Sequence, residues 1–252
     1  MALLVDGTSV TIEDLVDQDA GVLDTAQTSG INLTTKIRLA KQEIQSEVEL
    51  WFERLAPRWP VITTRAEQIV VTSPLRRWMT THTLELVYRD SYFSQLVDRY
   101  KAKWEQYTLL SDSAREDVLS AGLGVVNDPM PIAQPPALGS IAGSQQGGTL
   151  YASVAWVNAA GQPGEASPAS TITIPDGNLM TVKAVDQPPN AVGFNVYAGA
   201  LLTPLFQQND VALPAGAAFY FIPSNARSSG PMAGSGQAPD AIKHLPRAIL
   251  RG

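Results

Sequence analysis

Along the first half of the chain, apolar residues recur every three or four positions. Leu33, Ile37, Ala40, Ile44, Val48, Trp51 and Leu55 fall on one face of a helix, with polar and charged side chains between them. Asn32 stands where a capping side chain belongs. Pro57 and Pro60 end the run, because proline lacks a backbone donor and clashes with the preceding turn. Before it, Thr11-Ile-Glu-Asp14 pairs a short hydroxyl with a carboxylate three positions on, which predicts a short helix from about Ile12 to Asp19. Gln68–Thr72 reads as a brief strand. Ser73-Pro74 then opens a third helix with the stripe Leu75, Trp78, Met79, His82 and Leu86, for which Asp90 is the candidate break or cap. Phe93, Leu96, Val97, Tyr100, Trp104, Tyr107 and Leu110 predict a fourth, ending near Gly122 and Gly124.

From Asn127 the pattern changes. Asp-Pro-Met-Pro-Ile-Ala-Gln-Pro-Pro favours extended backbone and marks a boundary. Beyond it the apolar residues alternate. Leu150, Ala152, Val154 and Trp156 predict a strand, followed by strands at Thr171–Ile174, Met180–Val185, Gly193–Tyr197, Leu205–Asn209 and Ala218–Ile222. Short strands separated by turn residues suggest an antiparallel sandwich. From Pro223 the chain is rich in Ser, Gly and Pro, and it ends in a mixed basic and apolar stretch, which reads as an extended arm suited to docking. The expected fold is therefore α + β in separate domains: an antiparallel helical bundle over 1–124, a linker over 125–136, a β-sandwich over 137–222 and an extended tail over 223–252.

Charge sharpens this division. Residues 1–124 carry 13 basic and 18 acidic side chains, 125–222 carry one and five, and 223–252 carry four and one, so only the tail is basic. A net charge of −6 argues against a nucleic-acid-binding surface spread over the whole molecule. With no cysteine, disulfides, thiol catalysis and thiolate metal sites are excluded. The acidic N-terminus and the lack of a long apolar run predict a chain with no membrane span and no cleaved signal.

Candidate chemistry is sparse. His82 lies on an apolar stripe and is expected in a core or interface role, and His244 sits in the tail without an evident partner. The pairs Glu43 with Glu47 and Asp14 with Asp17 have helical spacing, but Lys36, Arg38, Lys41 and Arg54 can neutralise such acids on a solvated face. The Asp112–Asp117 cluster reads the same way. No phosphate-binding glycine loop, GxSxG elbow or HExxH helix occurs, so no catalytic residue, metal site or cofactor is assigned and the chain is expected not to be an enzyme. Ten large aromatics fall in the helical half, more than a small helical unit is expected to bury, so Trp59, Trp78, Tyr88, Tyr92 and Trp104 are candidate subunit contacts.

The runs Glu13-Asp-Leu, Gly21-Val-Leu-Asp24, Gly30-Ile-Asn-Leu33 and Lys41-Gln-Glu-Ile44, then Pro74-Leu-Arg-Arg-Trp78, His82-Thr-Leu, Leu86-Val-Tyr-Arg-Asp90 and Gln95-Leu-Val-Asp-Arg-Tyr100 with Lys103-Trp104, resemble the head-tail connector (adaptor) proteins of tailed bacteriophages. The resemblance covers about residues 10 to 130. It implies a non-enzymatic ring of about twelve copies in the virion neck, beneath the portal protein, continuing the channel for genomic DNA and meeting further neck or tail proteins. It also implies that a C-terminal segment reaches the portal, for which Ile242, Lys243, His244, Leu245, Arg247, Ile249, Leu250 and Arg251 are the candidates. Residues 151–161, Ala166-Ser-Pro168 and 193–197 resemble the immunoglobulin-like or fibronectin type III-like domains of phage structural proteins. The alternative is a tail or baseplate protein whose β module binds another virion protein or a surface glycan, with Tyr151, Trp156 and Tyr197 as a candidate stacking platform, against which the alternation of the strand places Trp156 in the core.

Overall fold

A computed structural model of the chain describes residues 1–6, 9–55, 65–234 and 236–244, without the side chains of 53–55. Among the described residues the protein is mixed α and β, with five α-helices and three antiparallel sheets. It divides into two compact units, one of 7–126 with 239–252 and one of 1–6 with 127–238.

The helical unit opens with α1 (Ile12–Gln18). Here Thr11 Oγ1 accepts the Asp14 N–H at 3.3 Å and the Asp14 carboxylate accepts the Thr11 N–H at 2.9 Å, the expected capping box. Helix α2 (Val22–Ser29) has no counterpart among the predicted elements; Gly30, at φ 66°, ends it in the left-handed conformation. Helix α3 (Leu33–Leu55) is capped by Asn32, whose Oδ1 accepts the Thr35 N–H at 3.0 Å, and its buried stripe is Leu33, Ala40, Ile44, Val48 and Trp51. Strand β1 is Ile69–Val70.

Helix α4 (Ser73–Gln95) is the centre of this unit, buried on most sides. Its polar residues survive there because Thr80, Thr81, Thr83 and Ser91 return their hydroxyl protons to carbonyls one turn earlier, at Arg76, Arg77, Met79 and Val87. The break expected at Asp90 does not occur: Asp90 lies inside α4 and its carboxylate pairs with Lys36 of α3. The turn comes instead at Leu96, a left-handed residue at φ 53° whose N–H reaches the Tyr92 carbonyl, and α5 (Asp98–Ala121) follows. Pairs Arg77–Asp117, Tyr88–Tyr107 and Tyr92–Trp104 show that α4 and α5 form an antiparallel hairpin. Strand β2 (Leu123–Val125) then pairs with β1.

In the second unit, β3 (Ala137–Ala142), β4 (Gly148–Val157), β5 (Ser170–Ile174), β6 (Asn178–Lys183), β7 (Gly193–Gly199), β8 (Phe206–Gln207) and β9 (Phe219–Phe221) make two antiparallel sheets, ordered β3-β6-β9 and β5-β4-β7-β8. One core receives side chains from both: Leu150, Ala152, Val154 and Trp156 from alternate positions of β4, Phe194, Val196 and Ala198 from β7, Met180 and Val182 from β6, and Phe221 from β9. Trp156 meets Phe194 edge-on at 5.7 Å between ring centroids.

Both ends of the chain depart from the expected boundaries. Met1–Asp6 belong with the β unit, where Leu3 and Leu4 are buried and the Asp6 carboxylate accepts the N–H groups of Leu3 and Ile132. The expected linker is packed structure: Met130 and Ala133 enter the β core, and the Met130 N–H donates to Gln237 Oε1 at 2.6 Å. Described parts of the expected extended arm are packed or paired. Gln237 is buried in the β unit, and β10 (Ala241–Lys243) pairs antiparallel with β2 in the helical unit.

Candidate functional site

Three places in the helical unit concentrate chemistry. The first is Asp19, at the end of α1. Its Oδ2 accepts the Tyr88 hydroxyl at 2.8 Å, the Lys103 ammonium at 2.9 Å and the Tyr107 hydroxyl at 3.0 Å, while Oδ1 accepts the Gly21 N–H at 3.0 Å. Burial opposes ionisation, but the donors from Lys103, Tyr88, Gly21 and Tyr107 outweigh it and hold the carboxyl below its ordinary range. Burial, then the facing carboxylate, pushes both tyrosines up. Tyr88 and Tyr107 stack at 5.5 Å. Beside them lies a cavity of about 370 Å³, lined among others by Asp24, Thr25, Arg99, Tyr100 and Lys103, with the Arg99 guanidinium 4.5 Å from the Tyr100 ring centre.

The second is His82 on α4. Its Nε2 stands 2.8 Å from Glu43 of α3, its Nδ1 2.9 Å from Glu85, and Ser111 Oγ of α5 lies 3.4 Å from the same Nδ1. Burial lowers the imidazole's proton affinity, yet the hydrogen bonds and charges of Glu85 and Glu43 raise it above the ordinary value. Serine, histidine and carboxylate together invite comparison with a hydrolase triad, but the geometry does not serve one. Ser111 is buried, and the nitrogen it approaches is already engaged more closely by Glu85. The carboxylates sit at opposite ring nitrogens and do not converge, and no group of three or more potential metal ligands occurs among the described residues.

The third is the tip of the α4–α5 hairpin. Phe93 is 62% exposed and Leu96 70%, with Val97 also exposed. Behind them the Tyr92 and Trp104 rings stack at 6.0 Å, and Phe93 tilts onto Trp104 at 5.6 Å.

The expected site residues scatter. Trp78 is buried and stacked on Trp51 at 5.6 Å, and Tyr88 is buried on Asp19, so neither offers a surface for subunit contact: their rings fill the space between helices of one unit. Tyr92 and Trp104 come together at the hairpin tip, partly exposed. Trp59 lies outside the described residues, as do Leu245, Arg247, Ile249, Leu250 and Arg251. Ile242 and Lys243 are in β10, with Ile242 and His244 exposed. The stacking platform does not form, because Trp156 is in the β core and Tyr197 packs with Ala155 and Leu205 on the other face of its sheet.

The acids expected on a solvated face are in part interhelical ties. Glu43 binds His82, Glu47 binds Arg115 of α5, and Asp117 accepts from Arg77 at 2.8 Å. Asp19 and Lys103 were missed altogether, since nothing in the local spacing distinguishes them from other charged residues of α1 and α5. No helix among the described residues is long and apolar enough to cross a membrane. No family model matches the chain, and no curated protein or solved structure shows significant similarity to it.

Proposed function

We propose that the chain is a structural, non-enzymatic component of a tailed-phage neck, a head-tail connector whose helical unit assembles into a ring below the portal. In this reading the helical unit is an antiparallel bundle built on the α4–α5 hairpin, and the β unit is an immunoglobulin-like sandwich carried on the ring and available to further neck or tail proteins. The observation that supports it most is the hairpin tip. Phe93, Leu96 and Val97 present contiguous apolar side chains to solvent at one end of the unit, on a rigid aromatic base of Tyr92 and Trp104. Surfaces of this kind mark protein contacts. Identical copies joined by such a contact close into a ring when the contact is heterologous and its rotation divides the circle.

With 241–243 paired to β2, this reading takes the exposed Ile242 of β10 and the exposed His244 that follows it as the described part of the portal-facing surface. DNA would pass such a ring without sequence-specific binding, in keeping with the excess of acidic over basic side chains in residues 1–124. Native mass spectrometry and electron microscopy of the purified chain, alone and mixed with a portal ring, test the reading. A closed ring of about twelve copies, or its formation on the portal, is expected; a monomer that ignores the portal overturns it.

A further inference from the structure

We infer that His82 is a proton-operated clasp between α3 and the α4–α5 hairpin, tying Glu43 to Glu85 when protonated and releasing Glu43 when neutral. Both ring nitrogens face carboxylates, at 2.8 Å and 2.9 Å. An ionised carboxylate only accepts hydrogen bonds, so satisfying both requires a proton on each nitrogen, which is the imidazolium. A neutral ring has one N–H. One carboxylate then faces a lone pair across less than 3 Å, a contact that must open.

Which one opens is decided by access to water. The Glu43 side chain is 53% exposed and can turn to solvent, whereas Glu85 is 18% exposed and also accepts weakly from Thr108 at 3.5 Å. The neutral ring therefore keeps its proton on Nδ1, toward Glu85, and lets go of Glu43. The tie that is lost is the one between helices.

The surroundings leave this clasp as the titrating element. Glu43 is the charged group that α3 directs at the ring, and Glu85 is the one from α4. From α5 come the neutral hydroxyls of Ser111 and Thr108; Arg115, one turn further on, is bound to Glu47. Two further polar ties hold α3 to the hairpin on either side of Glu43, Lys36 to Asp90 and Glu47 to Arg115. Raising the pH thus weakens α3 at Glu43, between these two ties. The stacked pair Trp51 on α3 and Trp78 on α4 lies about two turns along and reports the separation.

The test uses the full chain with His244→Gln, so that His82 is the single imidazole, alone and with Glu43→Gln. NMR titration of the ring, amide-exchange protection factors corrected for intrinsic rates, and the tryptophan exciton band in circular dichroism are followed with pH. A His82 midpoint above the ordinary value of about 6.5 is expected. Protection at α3 amides should fall roughly threefold as pH rises through it, the size of one partly exposed ion pair. Glu43→Gln should lower the midpoint and remove the pH dependence. The position of Glu43 at the surface makes that variant a safe one for folding. A midpoint at or below the ordinary value, or α3 protection and an exciton band with the same pH dependence in both proteins, overturns the proposal.

Discussion

A single carboxylate organises one end of the helical unit. Asp19 closes α1, and through one oxygen it gathers a hydroxyl from α4 and a hydroxyl and an ammonium from α5. Replacing it with Asn keeps the shape but removes the charge that satisfies Lys103 and two buried phenols. Hydrogen bonds to charged groups contribute about 1.5–3 kcal/mol each, with strong non-additivity inside one cluster, so Asp19→Asn should cost about 2 kcal/mol at neutral pH. The pH dependence follows from the lowered folded-state pKa. The contribution is present above the unfolded value of 3.8 and is lost as pH falls through the still lower folded value, so wild type and variant should converge in stability once the pH lies below that folded value. Urea unfolding at neutral and acid pH measures it; an unchanged gap between the two proteins would show that the charge is not what matters. Asp19 was not legible beforehand because its role depends on Tyr88 and Tyr107, which lie 69 and 88 positions away.

At the scale of the element, the hairpin turn sets a conflict between fold stability and exposure. Leu96 adopts a left-handed backbone, which costs an L-residue about 1–2 kcal/mol, and it does so with a side chain that is largely in water. Glycine removes the steric cost at the price of unfolded-state entropy. Leu96→Gly should therefore raise the unfolding free energy of the isolated chain by about 1 kcal/mol and, where the tip is the proposed ring contact, weaken self-association tenfold or more, read by chemical unfolding and by mass photometry across concentration. A gain in stability with undiminished assembly would remove the tip from the interface. The same turn shows where sequence pattern runs out. The stripes on α3 and α4 and the alternation along β4 follow from local periodicity and were legible, as was the capping box at Thr11; of the stripe expected on the fourth helix only Tyr100 and Tyr107 are buried in α5, while Phe93 belongs to α4 and Leu96 and Val97 to the turn. Leu96 was not legible, since leucine is a helix former and nothing in its local pattern marks a left-handed turn; what lies across that turn is the stacking of Tyr92 on Trp104, two residues joined only by the hairpin. Asp90 was misread for the complementary reason: an acid inside a helix looks like a break until its partner, Lys36, is known. Helix α2 is short, lies between two glycines and lacks a side-chain cap, so it leaves little local signal.

For the whole molecule, the C-terminal segment decides between two uses of the same strand. An arm made for a portal would leave the helical unit complete without it, yet β10 is fitted into that unit. Ala241, Ile242 and Lys243 stand opposite Val125, Gly124 and Leu123, and the Asp240 N–H donates to the Val125 carbonyl at 2.9 Å. Gly122 leaves the space, for a Cβ there would lie 2.7 Å from the Lys243 carbonyl oxygen and 2.8 Å from Ile242 Cγ2. Such a glycine suits a strand that is present when the unit folds. Cutting the chain after Ala238 removes a short ladder and uncovers the edge of β2, a loss of about 2 kcal/mol at roughly 0.5–1.5 kcal/mol per hydrogen bond. The helical signal in circular dichroism should then unfold at lower urea, while the β core, followed through Trp156 as the reporter in a chain with its other tryptophans replaced, unfolds where it did before. This should hold with no portal present. If truncation instead leaves helical stability unchanged and abolishes portal binding, β10 is held too weakly to matter to its own unit, and the strand is free to be given to a partner.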